Sequence, residues 1–359
     1  MKKLAALILA GCAVLGAGLT GQQAQACTRA VYLGEEGRIL TGRTMDWKTD
    51  IGTHLWVLPR GVERHGAAGP ASLRWTVKYG SVIASAYDLA SSDGLNEAGL
   101  AANLLWLPDS VFPKPDGTTP TLSLSLWAQY MLDNFATVAE AVEHVRKHPF
   151  LVLTGQVPGQ DRDALVHLSL SDAGGDSAIM EYLDGELVIH HGRDYQVLTN
   201  EPPYAQQLAL LQYWENIGGT TMLPGTNRPA DRFARAHFYI NAVPRVEDAR
   251  LATAAVFSVI RNVSVPYGVS TPEVPHISST RWRSVVDHKD LRYYFESALS
   301  PSTFWLDLQG LDFAPEAGSR VLRLGEDQRR ILAGEVSAEL EASEPLTFQP
   351  AAVEAGLTP

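Results

Sequence analysis

Ala24-Gln25-Ala26-Cys27-Thr28 closes an apolar leader and opens a β-rich chain. A small-x-small triplet is what a signal peptidase needs ahead of its cut. Lys2 and Lys3 supply the positive start, Leu4 to Leu19 the apolar run, and Gln22 to Ala26 the polar approach. Residues 1–26 therefore read as a signal peptide, and the protein as periplasmic or secreted. Cleavage after Ala26 would give Cys27 a thiol and a free α-amine on one carbon. The amine titrates near ~8 and an ordinary thiol near ~8.5, so each can exchange a proton with the other close to neutral pH. One residue would then hold both a nucleophile and its base. The competing reading is that Cys27 is merely the first residue after a leader. A second box, Leu9-Ala10-Gly11-Cys12, has the composition of a lipoprotein cleavage site, although its apolar run is very short. A chain acylated there would be an anchored periplasmic binding protein without catalysis.

Composition narrows the partners. The chain has 29 Lys and Arg against 40 Asp and Glu. Losing residues 1–26 removes two of the lysines and no acid, which makes the mature chain still more acidic. Such a surface is a poor match for nucleic acid or anionic membrane. No apolar run beyond the leader is long enough to suggest stable membrane insertion. Cys12 and Cys27 are the only cysteines. After cleavage Cys27 stands alone, so neither an intramolecular disulfide nor a cysteine metal cluster is expected. An exported lone thiol is exposed to oxidation, which favours a thiol kept for its reactivity. The histidines do not cluster at metal spacing, and no phosphate-binding or dinucleotide-binding glycine loop is present. The sequence implies no metal and no cofactor.

The order of elements reads strands, helices, strands, helices, strands. Thr28–Leu33 and Arg38–Trp47 flank a Gly34-Glu35-Glu36-Gly37 turn and predict a hairpin. Further strands are expected at Leu55–Leu58, Trp75–Tyr79, Val82–Tyr87 and Gly99–Leu107. Helices are expected at Leu122–Leu132 and from Thr137, where Thr137-Val138-Ala139-Glu140 has the form of a capping box. Strands return between Ala164 and Thr199. Helices follow at Tyr204–Asn216, Ala230–Asn241 and Val246–Val263, then a hairpin of Ser279–Asp287 and Arg292–Ser297. The pattern predicts an α+β fold, a four-layer αββα sandwich in one domain over residues 27–336. Residues 337–359, acidic and alanine-rich, read as a poorly ordered tail.

Several residues could carry chemistry. Arg43 and Asp46 lie on the return strand of the first hairpin, opposite the start of the chain. A guanidinium there could stabilise a thiolate and a carboxylate could hold an α-amine. An ordinary cross-strand ion pair is the plainer alternative. Asn200 stands between a strand and a helix, where its amide could donate to an oxyanion or merely shape a turn. Arg232 opens a helix, and a helix arginine is by default solvated. Trp47, Trp56 and Trp106 are candidates for an apolar substrate pocket, or for core.

With these residues in view, the chain resembles the choloylglycine hydrolase family: penicillin V acylases, bile salt hydrolases and N-acyl homoserine lactone acylases. The resemblance runs from Cys27 to about Leu308. It rests on Cys27 followed by Gly42-Arg43-Thr44-Met45-Asp46, on Asp93-Gly94-Leu95-Asn96-Glu97 with Gly99-Leu100, and on Leu198-Thr199-Asn200-Glu201-Pro202. It is completed by Leu223-Pro224-Gly225 with Asp231-Arg232-Phe233, and by the Thr280–Phe295 hairpin. It implies an αββα fold of the N-terminal nucleophile hydrolase type and a small-molecule N-acyl amide as substrate. Cys27 matches the nucleophile, Arg43 and Asp46 the residues that organise it, Asn200 the oxyanion-hole amide, and Arg232 the arginine of the polar network. The second oxyanion donor, a backbone N–H, falls at Trp106, where bile salt hydrolases commonly carry asparagine. The stretch between Asn200 and Arg232 is shorter than in Gram-positive members, where an extra segment helps assemble tetramers. A homo-oligomer is therefore allowed but not implied. The leader points to the exported branch associated with penicillin V and acyl homoserine lactones, with a bile salt hydrolase as the alternative.

Overall fold

The computed structural model describes residues 27–272, 277–325 and 331–352. Residues 1–26, read above as a signal peptide, and residues 353–359 lie outside the described residues.

Strands β1 (Thr28–Leu33) and β2 (Ile39–Trp47) form the expected hairpin, with Thr28 opposite Thr44 and Leu33 opposite Ile39. β2 continues across to the Ser279–Asp287 strand, and β1 to Val197–Thr199. These four strands, with Arg292–Ser297, Thr303–Asp307 and Gly334–Glu335, make a seven-stranded sheet. A nine-stranded antiparallel sheet is built around Ala101–Trp106 and includes β3 (Leu55–Leu58). Helices α1 (Trp127–Asn134) and α2 (Val138–Lys147) cover the outer face of the nine-stranded sheet. On the seven-stranded sheet lie α4 (Pro229–Ala242) and α5 (Ala249–Asn262), with α3 (Tyr204–Ile217) packed on α4. The four layers of the αββα sandwich are thus present.

Alternation along the first hairpin positions the site. Successive strand side chains point to opposite faces. Gly42 faces α5, because a Cβ there would lie 2.5 Å from Ile260 Cγ1 and 2.7 Å from Val256 Cγ1. Thr44 and Asp46 share that face, whereas Arg43, Met45 and Trp47 point between the two sheets. On β1 the same alternation sends Thr28 toward α4, and Cys27 and Arg29 between the sheets.

Three sequence expectations need correction. Leu122–Leu132 is not one helix. Thr121–Ser123 is a strand paired parallel with Leu151–Leu153, a 3-10 turn follows, and the α-helix begins at Trp127. Pro120 precedes this strand, and the Ser123 hydroxyl accepts the Ser125 N–H, which caps the turn. Helix α5 starts three residues later than the periodicity suggests, because Asp248 caps it through Leu251 N–H at 2.9 Å. The acidic tail is not loose over residues 337–352. Glu341–Ser343 pairs with Ser319–Leu322, Leu346 is buried, and the backbone of Gln349 and Ala351 is hydrogen-bonded into the body. Its glutamates point to solvent, so its composition looked disordered while its few apolar residues packed.

The close approach of α5 to β2 gives a direct test. Gly42→Ala overpacks this contact and is expected to cost about 1–3 kcal/mol. A melting temperature unchanged from the parent would show that α5 does not rest on this glycine.

Candidate active site

Cys27 lies at the start of β1, buried at the end of a cavity. Its nitrogen donates to Asn200 Oδ1, the atom 173 positions away in sequence. Arg232 Nη2 donates to the same oxygen at 3.1 Å. Two donors on one atom fix it as the amide oxygen, so the Asn200 NH₂ must face the other way. There it donates to Trp106 O at 2.9 Å, which leaves its second hydrogen available. The Trp106 N–H is oriented by strand geometry. Leu107 N–H bonds Leu165 O, so alternation turns the N–H and C=O of Trp106 away from that neighbouring strand, toward Asn200. One side-chain amide and one backbone N–H thus converge beside Cys27.

Arg232 is the hub. It is fully buried on the first turn of α4. Nη1 donates to Cys27 O at 2.8 Å and to Thr28 Oγ1, Nε donates to Asn227 O at 3.1 Å, and Nη1 lies 3.7 Å from Asp46 Oδ2. The default reading of a solvated helix arginine fails because α4 presses its first turn onto β1. Asp46 is fully buried too. Thr44 Oγ1 donates to Asp46 Oδ2 at 3.0 Å, and Thr280 Oγ1 donates to Oδ1. It is Asn200, rather than Asp46, that accepts from the Cys27 nitrogen, because Asp46 is on the helix-facing side of β2. Burial raises the Asp46 carboxyl to about 6, against the opposing pull of Arg232 and the two threonines.

Arg43 faces the space between the sheets. It donates to Ser92 O at 2.9 Å and to Asp93 Oδ2 at 3.1 Å, and its guanidinium stacks 5.0 Å over Trp282. Asp93 in turn accepts from Asn103 at 3.0 Å, Ser284 at 3.2 Å and Tyr293 OH at 2.6 Å. Arg43 is therefore neither a free cation nor a partner of Asp46. Sequence reasoning missed Asp93, although the motif containing it had been singled out. By sequence alone Asp93–Leu100 reads as a turn between two strands, whereas the turn proper is Asn96–Gly99 and Asp93 sits inside the preceding strand Ala90–Asn96. Burial pushes the Cys27 thiol up, Arg43 pulls it down, and Asp46 pushes it up again. The net rise keeps the resting sulfur protonated at neutral pH, so a base beside it must take the proton.

The cavity in front of Cys27 has a volume of about 130 Å³. Met45 Sδ lies 4.0 Å from Cys27 Sγ. Trp47 and Trp106 form one wall, edge to face at 5.4 Å, with Arg162 stacked 4.6 Å over Trp106. Trp56 does not reach it. Trp56 is on β3 with its indole N–H on Asp88 Oδ1, and it packs in the cluster under α1. Leu55 and Val57, its neighbours, face the other way into the inter-sheet core. Alternation along β3 thus places Trp56 in the packing layer, and it is corrected from pocket to core. No group of three or more metal-ligating side chains is found among the described residues.

A buried cysteine between two sheets, faced by an amide and a backbone N–H, sits in the αββα fold of the N-terminal nucleophile hydrolases. Residues 27–317 match the profile described as linear amide C–N hydrolases, choloylglycine hydrolase family. Penicillin V acylase from Pectobacterium atrosepticum is 52% identical over 345 residues, covering 90% of this chain and 92% of its own length. The solved structure of penicillin V acylase from Agrobacterium tumefaciens is 58% identical with a TM-score of 0.84, covering 90% of this chain and 99% of that one. A bile salt hydrolase/transferase from Bifidobacterium longum is 26% identical over 305 residues, 77% of this chain and 93% of its own. A mutant conjugated bile acid hydrolase from Clostridium perfringens shares the fold, with a TM-score of 0.71 at 20% identity, covering 86% of this chain and 98% of that one. The chain belongs to the choloylglycine hydrolase family, and it is a hydrolase acting on amide bonds.

The raised carboxyl of Asp46 predicts a pH dependence with two opposite signs. Above about 6 Asp46 is ionised and balances Arg232, so kcat/KM should fall as the pH drops through that value. The stability contribution runs the other way. A raised folded-state value means the proton binds the folded form more tightly, so stabilisation is full below 3.8 and is lost as pH rises through about 6. A pH profile of kcat/KM with no inflection between pH 5 and 7 would remove Asp46 from control of the site.

Proposed function

We propose that this protein is an exported acylase that removes an aryl-acetyl group such as phenoxyacetyl from an amide, as in penicillin V, using Cys27 as nucleophile. Export and cleavage after Ala26 are part of this reading, because they turn the Cys27 nitrogen into a free amine. Sγ attacks the amide carbonyl while its proton passes to that amine. The oxyanion forms between the remaining Asn200 N–H and the Trp106 N–H. The amine then protonates the leaving nitrogen, and a thioester remains on Cys27. Water, deprotonated by the same amine, cleaves the thioester and releases the acid. Asn200 and Arg232 keep the amine oriented, while Arg43 and Asp46 hold β2 charged on its two faces around Cys27.

One observation carries the choice of acyl group. The cavity ending at Sγ, about 130 Å³, is close to the ~150 Å³ cavity known to hold one benzene ring. The Trp47–Trp106 wall suits an aryl group stacking edge to face. A steroid nucleus, with four fused rings, is far too large, which weighs against the bile salt reading. A short acyl homoserine lactone fits the same space, whereas a long-chain one overfills it. The likeness to the two penicillin V acylases supports the aryl choice.

Rates should fall in the order penicillin V, hexanoyl-homoserine lactone, glycocholate. Glycocholate as the best substrate would overturn the assignment. Cys27→Ala should fold and show no turnover, and Cys27→Ser should be severely slowed, since a hydroxyl is far less acidic than a thiol. Intact mass of exported protein should begin at Cys27, and a fully active form retaining Ala26 would remove the amine from the mechanism. Asn200→Ala should lower kcat by about 10²–10³-fold with a smaller change in KM. A folded Asn200→Ala enzyme with the parent kcat would show that Asn200 only shapes its turn.

A further inference from the structure

The cavity has one wall that neither the strands nor the family match supplies. It is the chain at residues 346–352, well beyond residue 317, where that match ends. Gln349 and Pro350 line the cavity, as does Cys27. Ser123 Oγ and Ser125 Oγ both donate to Gln349 O, each at 2.7 Å. Two hydroxyls thus fill both lone pairs of one carbonyl. Gln349 N–H donates to Leu89 O at 2.9 Å, and its side-chain amide to Gln156 O at 3.0 Å. This one residue therefore ties together three segments that shape the cavity.

We propose that residues 346–352 form a specificity strap, in which the Gln349–Pro350 corner is the outer wall of the acyl pocket and sets the longest acyl group accepted. Only Leu346 of the strap is deeply buried. Phe348 packs half-buried against the cluster that holds Leu346, with Arg64 5.4 Å over its ring, and residues 349–352 are held by hydrogen bonds that water can replace, two of them from the Ala351 and Ala352 N–H groups to Ala67 O and Thr154 O. The wall is thus separable from the sandwich, unlike Trp47 and Trp106, which are parts of sheet strands. Its removal would open the cavity on the Gln349–Pro350 side and give a longer acyl chain room, while Cys27, Asn200 and Arg232, held by other elements, stay in place.

This inference rests on the acyl reading of the cavity, and the two fail differently. Turnover by Cys27→Ala would sink that reading. A wrong strap assignment would leave Cys27-dependent turnover with its chain-length preference intact. The experiment compares mature enzyme with a chain ending at Pro345, on homoserine lactones acylated from butanoyl to dodecanoyl. The shortened enzyme should prefer longer acyl groups, with kcat/KM for dodecanoyl relative to butanoyl rising about tenfold or more, mainly through KM. If the shortened chain shows no melting transition, the Ser123→Ala/Ser125→Ala double variant, which frees Gln349 O, decides by the same ratio. A folded variant with an alkylatable Cys27 and an unchanged chain-length profile overturns the proposal.

Discussion

The site depends on one buried cation. The Arg232 guanidinium is sealed from water, and burying such a charge is costly unless it is paired and hydrogen-bonded. Its partners are Cys27 O, Thr28 Oγ1, Asn200 Oδ1 and, across a slightly longer gap, Asp46. They come from the Cys27–Thr28 stretch, the second strand and the loop after Val197–Thr199. The electrostatic demand of one side chain on α4 therefore holds three distant segments in register. The same demand orients Asn200, because its oxygen must face the two donors and its NH₂ is left facing Trp106 O.

The first hairpin divides its labour by face. Helix-side residues of β1 and β2 answer to Arg232. Inter-sheet residues face Cys27 and Asp93. Arg43 stands on that second face, where it is neutralised by Asp93 yet still lowers the thiol against the rise caused by burial. Two arginines thus bracket Cys27 from opposite faces, each with its own buried carboxylate. A thiol held up by burial is unreactive until its proton is taken. In the proposed mechanism the α-amine of Cys27 is the base that takes it.

The pocket shows how a general fold acquires a particular preference. The seven-stranded sheet supplies Cys27 and Trp47, and the nine-stranded sheet supplies Trp106. A further wall comes from chain that follows the last strand of the nine-stranded sheet. Catalytic geometry and acyl selection are therefore carried by separable parts, the first by long-range ion pairing and the second by a strap on surface hydrogen bonds.

By itself the sequence determined much of this. The small-x-small triplet Ala24-Gln25-Ala26 singled out Cys27, the Gly34–Gly37 turn set the hairpin, and alternating strands with two helix blocks implied the αββα layers. The capping box at Thr137 is present, with Glu140 N–H on the Thr137 hydroxyl at 3.2 Å. These features are local, and short spacings report them. What the tertiary structure alone decided was which face a residue occupies and who stands opposite. Trp56 and Trp47 look equivalent in sequence, but strand alternation sends one under α1 and the other to the cavity. Arg232 looks solvated until α4 lands on β1. Asp93 looks like a turn residue until the second sheet brings Arg43 to it, and the acidic tail looks frayed until Ser123 and Ser125 meet Gln349. Each of these rests on partners far apart in the chain, and a pattern of neighbours in sequence carries no record of a distance closed only by folding.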